Sequence, residues 1–203
     1  PSVFPLAETH PQVVERALRI KKLGNDLTTL VGGRSVHPVT AVIGGFTSEP
    51  DPRSLELMRL ALLEIAEDAQ VTAELFGEFG EPELVTEGDM LALSADDDYA
   101  VYDGRIASLD GGWRREVASY REVITEAVVG HSNAKHATVD GRTFMTGALP
   151  RINMNRTALT AGAQRIADRV GLSGVSRNPF HNNLCQAIEL VDVAERCADY
   201  TGK

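Results

Sequence analysis

The chain has 203 residues and is acidic, with 20 lysines and arginines against 29 aspartates and glutamates, a formal net charge of −9. A chain of this length can bury roughly 70% of the surface that its unfolded form exposes, so one core suffices. The densest basic group, Arg19 to Lys22, is typical of a solvated helix face rather than of a nucleic-acid interface. No apolar run approaches the ~20 residues that a membrane-spanning helix needs, and the first residues carry no signal-peptide pattern. We therefore expect neither nucleic acid nor a membrane as a partner.

The cysteine content indicates a reducing, cytoplasmic location. Only two cysteines are present, Cys185 and Cys197, and neither belongs to a Cys-x-x-Cys pair. On one continuous helix they would lie about 18 Å apart, which forbids a disulfide between them. A bridge stays open only if that helix is broken.

The first long helix leads into the most distinctive turn of the sequence. A helix from about Pro11 to Leu30 is predicted to end at the pair Gly32-Gly33, after which come an arginine, a His-Pro step and an apolar run. Because proline disfavours the α region for the residue before it, we expect His37 in extended backbone, its imidazole held away from the chain. The pattern predicts a tight turn that presents Arg34 and His37, followed by a short buried strand from Val39 to Ile43.

A second long helix has clear limits. Asp51 is a suitable N-cap with Pro52 at the first helical position, and the helix should continue to about Phe76 before Gly77 ends it. Apolar residues surround it over two turns: Leu55, Leu57, Met58, Leu60, Leu62, Leu63 and Ile65. Such a helix belongs in a protein interior. We therefore expect the isolated chain to self-associate through this helix or the last one.

The middle of the chain turns to β signals. Candidate strands, apolar or alternating, are Leu84-Val85, Met90–Leu93, Tyr99–Tyr102, Ile106–Leu109 and Val123-Ile124. Asp-Gly turns at Asp103-Gly104, Asp110–Gly112 and Asp140-Gly141 are natural hairpin connections.

Two closing helices are predicted, from Thr157 to Val170 and from Asn178 to Tyr200, the second capped by Asn178. Without internal repeats or a linker, this order predicts one α+β domain over residues 1–203. In it, long helices pack with a small, mostly antiparallel β region inserted at about residues 84–142.

Other candidate sites are weak. His131 and His136 are five residues apart, a spacing that suits neither one helix face nor one strand face, so structural hydrogen bonding is favoured over a metal site. Residues 96–98, three aspartates, are typical of a solvated turn rather than of a calcium loop. His181 is interpreted as a packing residue of the last helix. We assign no catalytic residue and no metal ligand.

Four blocks in order carry a family resemblance. They are Thr9–Asn25, Gly32–Phe46 with Gly-Gly-Arg-x-x-His-Pro, His131–His136 followed by Gly147–Asn155, and Arg177–Leu190. With these blocks the chain resembles the large (alpha) subunit of nickel-iron hydrogenases, closest to the cytoplasmic, NAD(P)-linked sulfhydrogenase type. An unrelated α+β domain would require four ordered matches by chance.

The resemblance implies a nickel-dependent parent enzyme that reversibly oxidises dihydrogen and passes electrons through an iron-sulfur small subunit towards NAD(P) or a similar acceptor. The family holds nickel and iron with four cysteines in two Cys-x-x-Cys pairs, which this sequence lacks. We therefore expect the chain to be the central part of a large subunit, an inactive scaffold without a cofactor of its own. A metal-free paralogue, serving as a structural or interaction subunit of a redox complex, stays open as the alternative.

The resemblance also implies roles for the two residues of the turn. It places His37 at the border with the small subunit, near the iron-sulfur cluster closest to the nickel-iron site, where a hydrogen bond would tune the electron relay. Arg34 would pair with nearby carboxylate or carbonyl groups. A purely structural role, in which both residues tie the turn to the domain, stays open.

Overall fold

The computed structural model describes residues 3–202, which form seven α-helices and eight short strands. The helices are α1 (Val3–Thr9), α2 (Pro11–Gly32), α3 (Pro52–Gly77), α4 (Tyr120–Val123), α5 (Ala148–Asn155), α6 (Ala161–Arg169) and α7 (His181–Thr201). The strands are β1 (Ala41–Val42), β2 (Gly45–Phe46), β3 (Asp89–Ser94), β4 (Arg105–Ser108), β5 (Arg114–Arg115), β6 (Ile124–Ala127), β7 (His136–Val139) and β8 (Phe144–Met145).

The described chain divides into two compact units. The first contains residues 3–75 and 190–202, and the second contains residues 76–189. The organisation as one domain over residues 1–203 stays a prediction. Across residues 3–202, no helix is long and apolar enough to cross a membrane.

In the first unit, the long helices begin and end as predicted. Helix α2 starts with proline in its first turn, and Gly33 caps its end in the left-handed conformation, with φ +81° and its N–H bonded to the Thr29 carbonyl. Before α3, Asp51 Oδ1 accepts the N–H groups of Arg53 and Ser54, each at 3.1 Å. Local capping chemistry therefore fixes both helix limits.

Helix α3 is buried on one face and exposed on another. The buried residues form a stripe at helical spacing: Leu62, Ala66, Ala69 and Ala73. Exposed leucines remain at positions 57, 60 and 63. This exposed apolar face is the surface through which the sequence predicts self-association, which stays a prediction.

The second unit is built on a four-stranded sheet with the order β5-β4-β3-β8. Strand β4 runs antiparallel to β3, with Leu91 opposite Ser108, whereas β8 runs parallel to it, with Met90 opposite Met145. Helix α5 packs against β3, and its Leu149 is completely buried. The sheet is mostly antiparallel, as predicted.

A separate hairpin in this unit joins β6 to β7, with Ile124 opposite Val139. The turn after β7 contains Asp140 and Gly141, whose φ angles are +50° and +73°, and Val139 pairs with Arg142 across it. Positive φ at both central residues is the pattern of a type I′ turn, which Asp-Gly favours. The predicted turn is confirmed.

Two predicted strands are wrong, and a third, Val123-Ile124, is a strand only from Ile124 onward, because Val123 ends α4. Leu84-Val85 and Tyr99–Tyr102 lie in irregular segments. Tyr99 is nevertheless buried, because its hydroxyl reaches Glu189 and its ring is enclosed. Only Tyr99 and Ala100 of this apolar run are buried, whereas Val101 and Tyr102 are exposed, so the run is an anchored loop and not a strand.

The predicted closing helices start too early. Helix α6 begins at Ala161, because Thr160 accepts the Ala163 N–H as its N-cap. Helix α7 begins at His181, and Asn178 instead caps the turn before it by accepting the Phe180 N–H at 3.1 Å. Helix α5 was not predicted, since its proline at the third position reads as a breaker although a first turn tolerates it.

Candidate functional site

The turn after α2 brings Arg34 and His37 together through the main chain. Arg34 Nε donates a hydrogen bond to the His37 carbonyl oxygen at 2.6 Å. The Val39 N–H returns to the Gly32 carbonyl at 2.8 Å, which closes the loop onto the helix end. A Cβ at Gly32 would lie 2.8 Å from the Pro38 Cβ, so the close approach requires glycine there.

The backbone of His37 corrects the sequence prediction. Its φ is +53°, in the left-handed region, rather than extended. The preference imposed by the following proline is overcome because the chain must turn back to the Gly32 carbonyl, and the Arg34 side chain holds the His37 carbonyl in that arrangement. Both side chains are exposed. Among residues 3–202, no group forms a hydrogen bond with the His37 imidazole.

The predicted buried strand after the turn is also corrected. Only Ala41–Val42 is a strand, paired with Gly45–Phe46, and Ile43 at the hairpin tip is fully exposed. The hairpin is held at Thr40, which is buried and whose hydroxyl donates to the Val31 carbonyl at 2.7 Å. The apolar hairpin therefore lies open to solvent in this chain.

A largely apolar groove of about 430 Å³ lies beside this turn within the first unit. Its walls come from α2, the turn, the β1–β2 hairpin and the end of α7, and include Val31, Pro38, Phe46, Cys197 and Tyr200. The turn, the hairpin and the groove together form one exposed surface, which we call the turn surface.

The second unit contains a part-buried polar cluster that the sequence did not reveal. Arg151 Nε and Nη2 donate to both oxygens of Glu189, at 2.6 and 2.7 Å, and the Tyr99 hydroxyl donates to Glu189 Oε1 at 2.7 Å. Burial, and then the Glu189 charge, raises the pKa of Tyr99 far above its ordinary value. The hydrogen bonds that Arg151 donates to Glu189 raise the pKa of Arg151. Tyr99 therefore stays a neutral donor to a paired carboxylate.

Both cysteines of the chain are thiols that lie on α7. Cys185 lies one turn before Glu189 on α7, and burial, followed by the Glu189 charge, raises the pKa of its thiol to about 12. Burial also raises the pKa of Cys197, and neither cysteine forms a disulfide. From residue 3 to residue 202, no group of three or more His, Cys, Asp or Glu side chains could hold a metal ion.

His181 lies in a hydrogen-bonded chain rather than in simple packing. Its Nδ1 is 2.7 Å from the Ser176 Oγ and its Nε2 is 3.3 Å from the Glu81 Oε2. The Asn153 side-chain amide bonds both the N–H and the carbonyl of Ser176, at 3.0 and 2.8 Å. This series of hydrogen bonds fastens the irregular segment around Glu81 to the start of α7.

The remaining sequence candidates fall outside these clusters. Asp96 is exposed and pairs with Arg114 at 2.9 Å, in agreement with a solvated turn. His131 and His136 are both exposed, and their rings meet edge to face with centroids 5.3 Å apart. The structure therefore brings this histidine pair together despite its irregular spacing.

Comparison with known sequences identifies hydrogenase subunits. No protein-family model matches the chain. Over 205 residues it is 37% identical to the sulfhydrogenase 1 subunit alpha of Pyrococcus furiosus, covering 98% of this chain and 46% of that protein. Sulfhydrogenase 2 subunit alpha of the same organism is 31% identical over 97% of this chain and 45% of its own length. The NAD-reducing hydrogenase HoxS subunit beta of Cupriavidus necator is 26% identical over 96% and 45%.

Solved structures agree with the fold. An NAD⁺-reducing [NiFe]-hydrogenase in its H₂-reduced state matches with a TM-score of 0.82 at 20% identity, over 100% of this chain and 49% of that one. The Ni-Fe-Se hydrogenase of Desulfomicrobium baculatum matches with a TM-score of 0.62 at 17% identity, over 94% and 48%. The predicted α+β fold is confirmed, and the chain spans about half the length of these relatives.

Proposed function

Because the chain belongs to the large-subunit family of nickel-iron hydrogenases, of the sulfhydrogenase alpha type, we propose that it forms part of an enzyme that reversibly oxidises dihydrogen. The observation that carries this proposal is the 37% identity to a sulfhydrogenase alpha subunit over 98% of the chain. The NAD-reducing relative supports NAD(P) or a similar carrier as the electron acceptor. An iron-sulfur small subunit passes the electrons from the large subunit to that acceptor.

Within this enzyme the chain acts as a scaffold. The described residues do not fit a nickel-iron centre, because no three candidate ligands meet among them and the two cysteines do not form a Cys-x-x-Cys pair. Soft thiolates suit nickel and iron. The centre is therefore held by cysteines that lie elsewhere in the intact subunit.

The turn surface faces the iron-sulfur partner. The backbone of this turn is ordered before any partner binds, since the Arg34 side chain donates to the His37 carbonyl while the His37 imidazole stays exposed. Such an imidazole is available to donate a hydrogen bond to a group on the partner, which is how an outer-sphere residue alters reduction potential. The neighbouring apolar hairpin gains from burial in the same contact.

The test of this function uses the complete protein encoded at the locus, produced together with its partner subunits. We expect stoichiometric nickel, hydrogen uptake with an artificial acceptor, and hydrogen-dependent reduction of NAD(P)⁺. Cys-x-x-Cys codons in frame on both sides of the present sequence would agree with this outcome. A complex that assembles without nickel and takes up no hydrogen would instead identify a metal-free structural subunit.

The role of His37 is tested in the same complex. His37→Ala should leave the nickel content unchanged and slow electron delivery to the acceptor about tenfold, the lower end for an outer-sphere residue. His37→Gln, which keeps a donor, should recover part of the rate. His10→Ala serves as the control, because His10 is an exposed histidine whose ring bonds only locally, to Thr9. Loss of nickel with unchanged relay kinetics would refute the role.

A further inference from the structure

The exposed histidines His131 and His136 of the second unit lie against each other, with ring centroids 5.3 Å apart. His136 is the first residue of β7, and its partner across the hairpin is Ala127. His131 lies in the connecting loop, which folds back so that the two rings approach edge to face. A five-residue spacing places two side chains on different faces when the segment is a regular helix or strand. Residues 131–135 are neither, so the spacing does not argue against a site here.

The loop is ordered by its own hydrogen bonds. The Ser132 N–H bonds the Val129 carbonyl at 3.3 Å, and the Ser132 hydroxyl accepts the Ala134 N–H at 3.1 Å. Lys135 pairs with Glu126 across the hairpin at 3.2 Å. These contacts hold the loop against the strands, so the approach of the two imidazoles follows from a folded turn.

The separation of the rings matches shared coordination. Two imidazoles that bind one tetrahedral zinc ion at Zn–N distances of about 2.0–2.1 Å have ring centroids roughly 5 Å apart. The centroids of His131 and His136 are 5.3 Å apart, with an angle of 81° between the ring planes. The separation of the two rings therefore agrees with one shared ion, once the rings turn a nitrogen each towards it.

We propose that His131 and His136 form a binding site for a borderline divalent cation such as Zn²⁺. Imidazole nitrogen is a preferred ligand of zinc. With two protein ligands the site is open, and water completes the coordination. The net charge of −9 favours the approach of cations. The proposal does not depend on hydrogenase activity.

The proposal is tested by calorimetric titration of the chelator-treated 203-residue chain with Zn²⁺ at about pH 7.5. We expect one site, with His131→Ala and His136→Ala each weakening binding at least about tenfold, the size expected for loss of one ligand or its support. The matched control His10→Ala should bind like the unmodified chain. Since imidazole binds a metal only when neutral, binding should also weaken as the solution is made more acidic.

A second measurement does not rely on substitutions. In the unmodified chain, Zn²⁺ should shift the ring-proton resonances of His131 and His136 together, with saturation at one ion per chain, while those of His37 stay in place. The proposal is overturned if zinc does not bind, if both alanine variants keep full affinity, or if all histidines shift equally.

Discussion

The turn surface and the Arg151–Glu189 cluster are both polar, but they differ in how much of their bonding capacity the chain itself uses. In the cluster, both Glu189 oxygens are paired with Arg151, and the Tyr99 hydroxyl shares one of them, away from most solvent. In the turn, Arg34 makes one bond to a carbonyl, and the His37 ring is exposed. The closed cluster is suited to holding the fold, and the open turn is suited to contact with a partner.

The largest expected effect comes from breaking the closed cluster. Glu189→Ala leaves Arg151 and Tyr99 without their acceptor, which should lower the free energy of unfolding by about 3 kcal/mol, the low end for a broken buried pair, because the Arg151 side chain is 28% exposed. Urea unfolding measures this change. Glu56→Ala is the control, since it removes only the exposed partner of Arg59 and should leave the midpoint unchanged. Equal losses of unfolding free energy in both variants would show that the cluster stabilises the fold no more than an exposed ion pair does.

Alkaline titration tests the interior around this cluster. Burial raises the pKa of Cys185 in the folded state to about 12, well above that of an exposed thiol. The stability that the protonated Cys185 thiol contributes is therefore complete below about pH 9 and is lost as the pH rises towards about 12. Each fully titrating group changes the free energy of unfolding by about 1.4 kcal/mol per pH unit.

The variant Cys185→Ala should therefore show a shallower fall of stability with pH than the unmodified chain. Cys197→Ala is the matched control, because Cys197 is less buried and its pKa is also raised by burial. It should flatten the profile less. Parallel profiles for the Cys185 variant and the unmodified chain would contradict the burial argument.

The parts of the fold that the sequence predicted are those decided by neighbouring residues. Asp51 and Pro52 start α3, Gly33 ends α2, and Asp140-Gly141 forms the expected turn. In each case the signal and its effect lie within a few residues, where capping and turn chemistry act. The family resemblance rested on four ordered blocks of sequence. It is confirmed by the hydrogenase subunits that match almost the whole chain.

The parts that it missed depend on contacts distant in sequence. The partner of His181 is Glu81, and the partner of Arg151 is Glu189, neither of which a local pattern reveals. Tyr99 lies in a loop although its neighbours are apolar, since its hydroxyl is bonded to α7. His37 is an exception with a local cause, because the hydrogen bonds within its own turn, from Arg34 to the His37 carbonyl and from Val39 to the Gly32 carbonyl, outweigh a modest backbone preference.

The shape of the turn after α2 is tested at Gly33. Gly33→Ala places a side chain at φ +81°, with its Cβ 3.1 Å from the Thr40 methyl, and should cost about 1–2 kcal/mol of unfolding free energy. Gly24→Ala is a matched control inside the same helix, where a Cβ meets nothing within 4 Å, so it should stabilise by up to about 1 kcal/mol. Effects of the same sign would contradict the assigned helix end.

The smallest effect on stability is expected at Arg34, and it separates the two regions most sharply. Arg34→Ala removes one hydrogen bond on an exposed turn, so the unfolding free energy of the isolated chain should fall by only about 0.5 kcal/mol, at the low end for a hydrogen bond. In the complete complex the same change releases the His37 main chain, so electron delivery should slow as it does in His37→Ala. Arg34→Lys lacks the planar guanidinium fork. In the complex its electron delivery should be about as slow as that of Arg34→Ala, whereas in the isolated chain its unfolding free energy should resemble that of Arg34→Ala less closely. A stability loss as large as that of Glu189→Ala, with unchanged electron delivery, would instead place Arg34 with the closed cluster as a residue that only holds the fold.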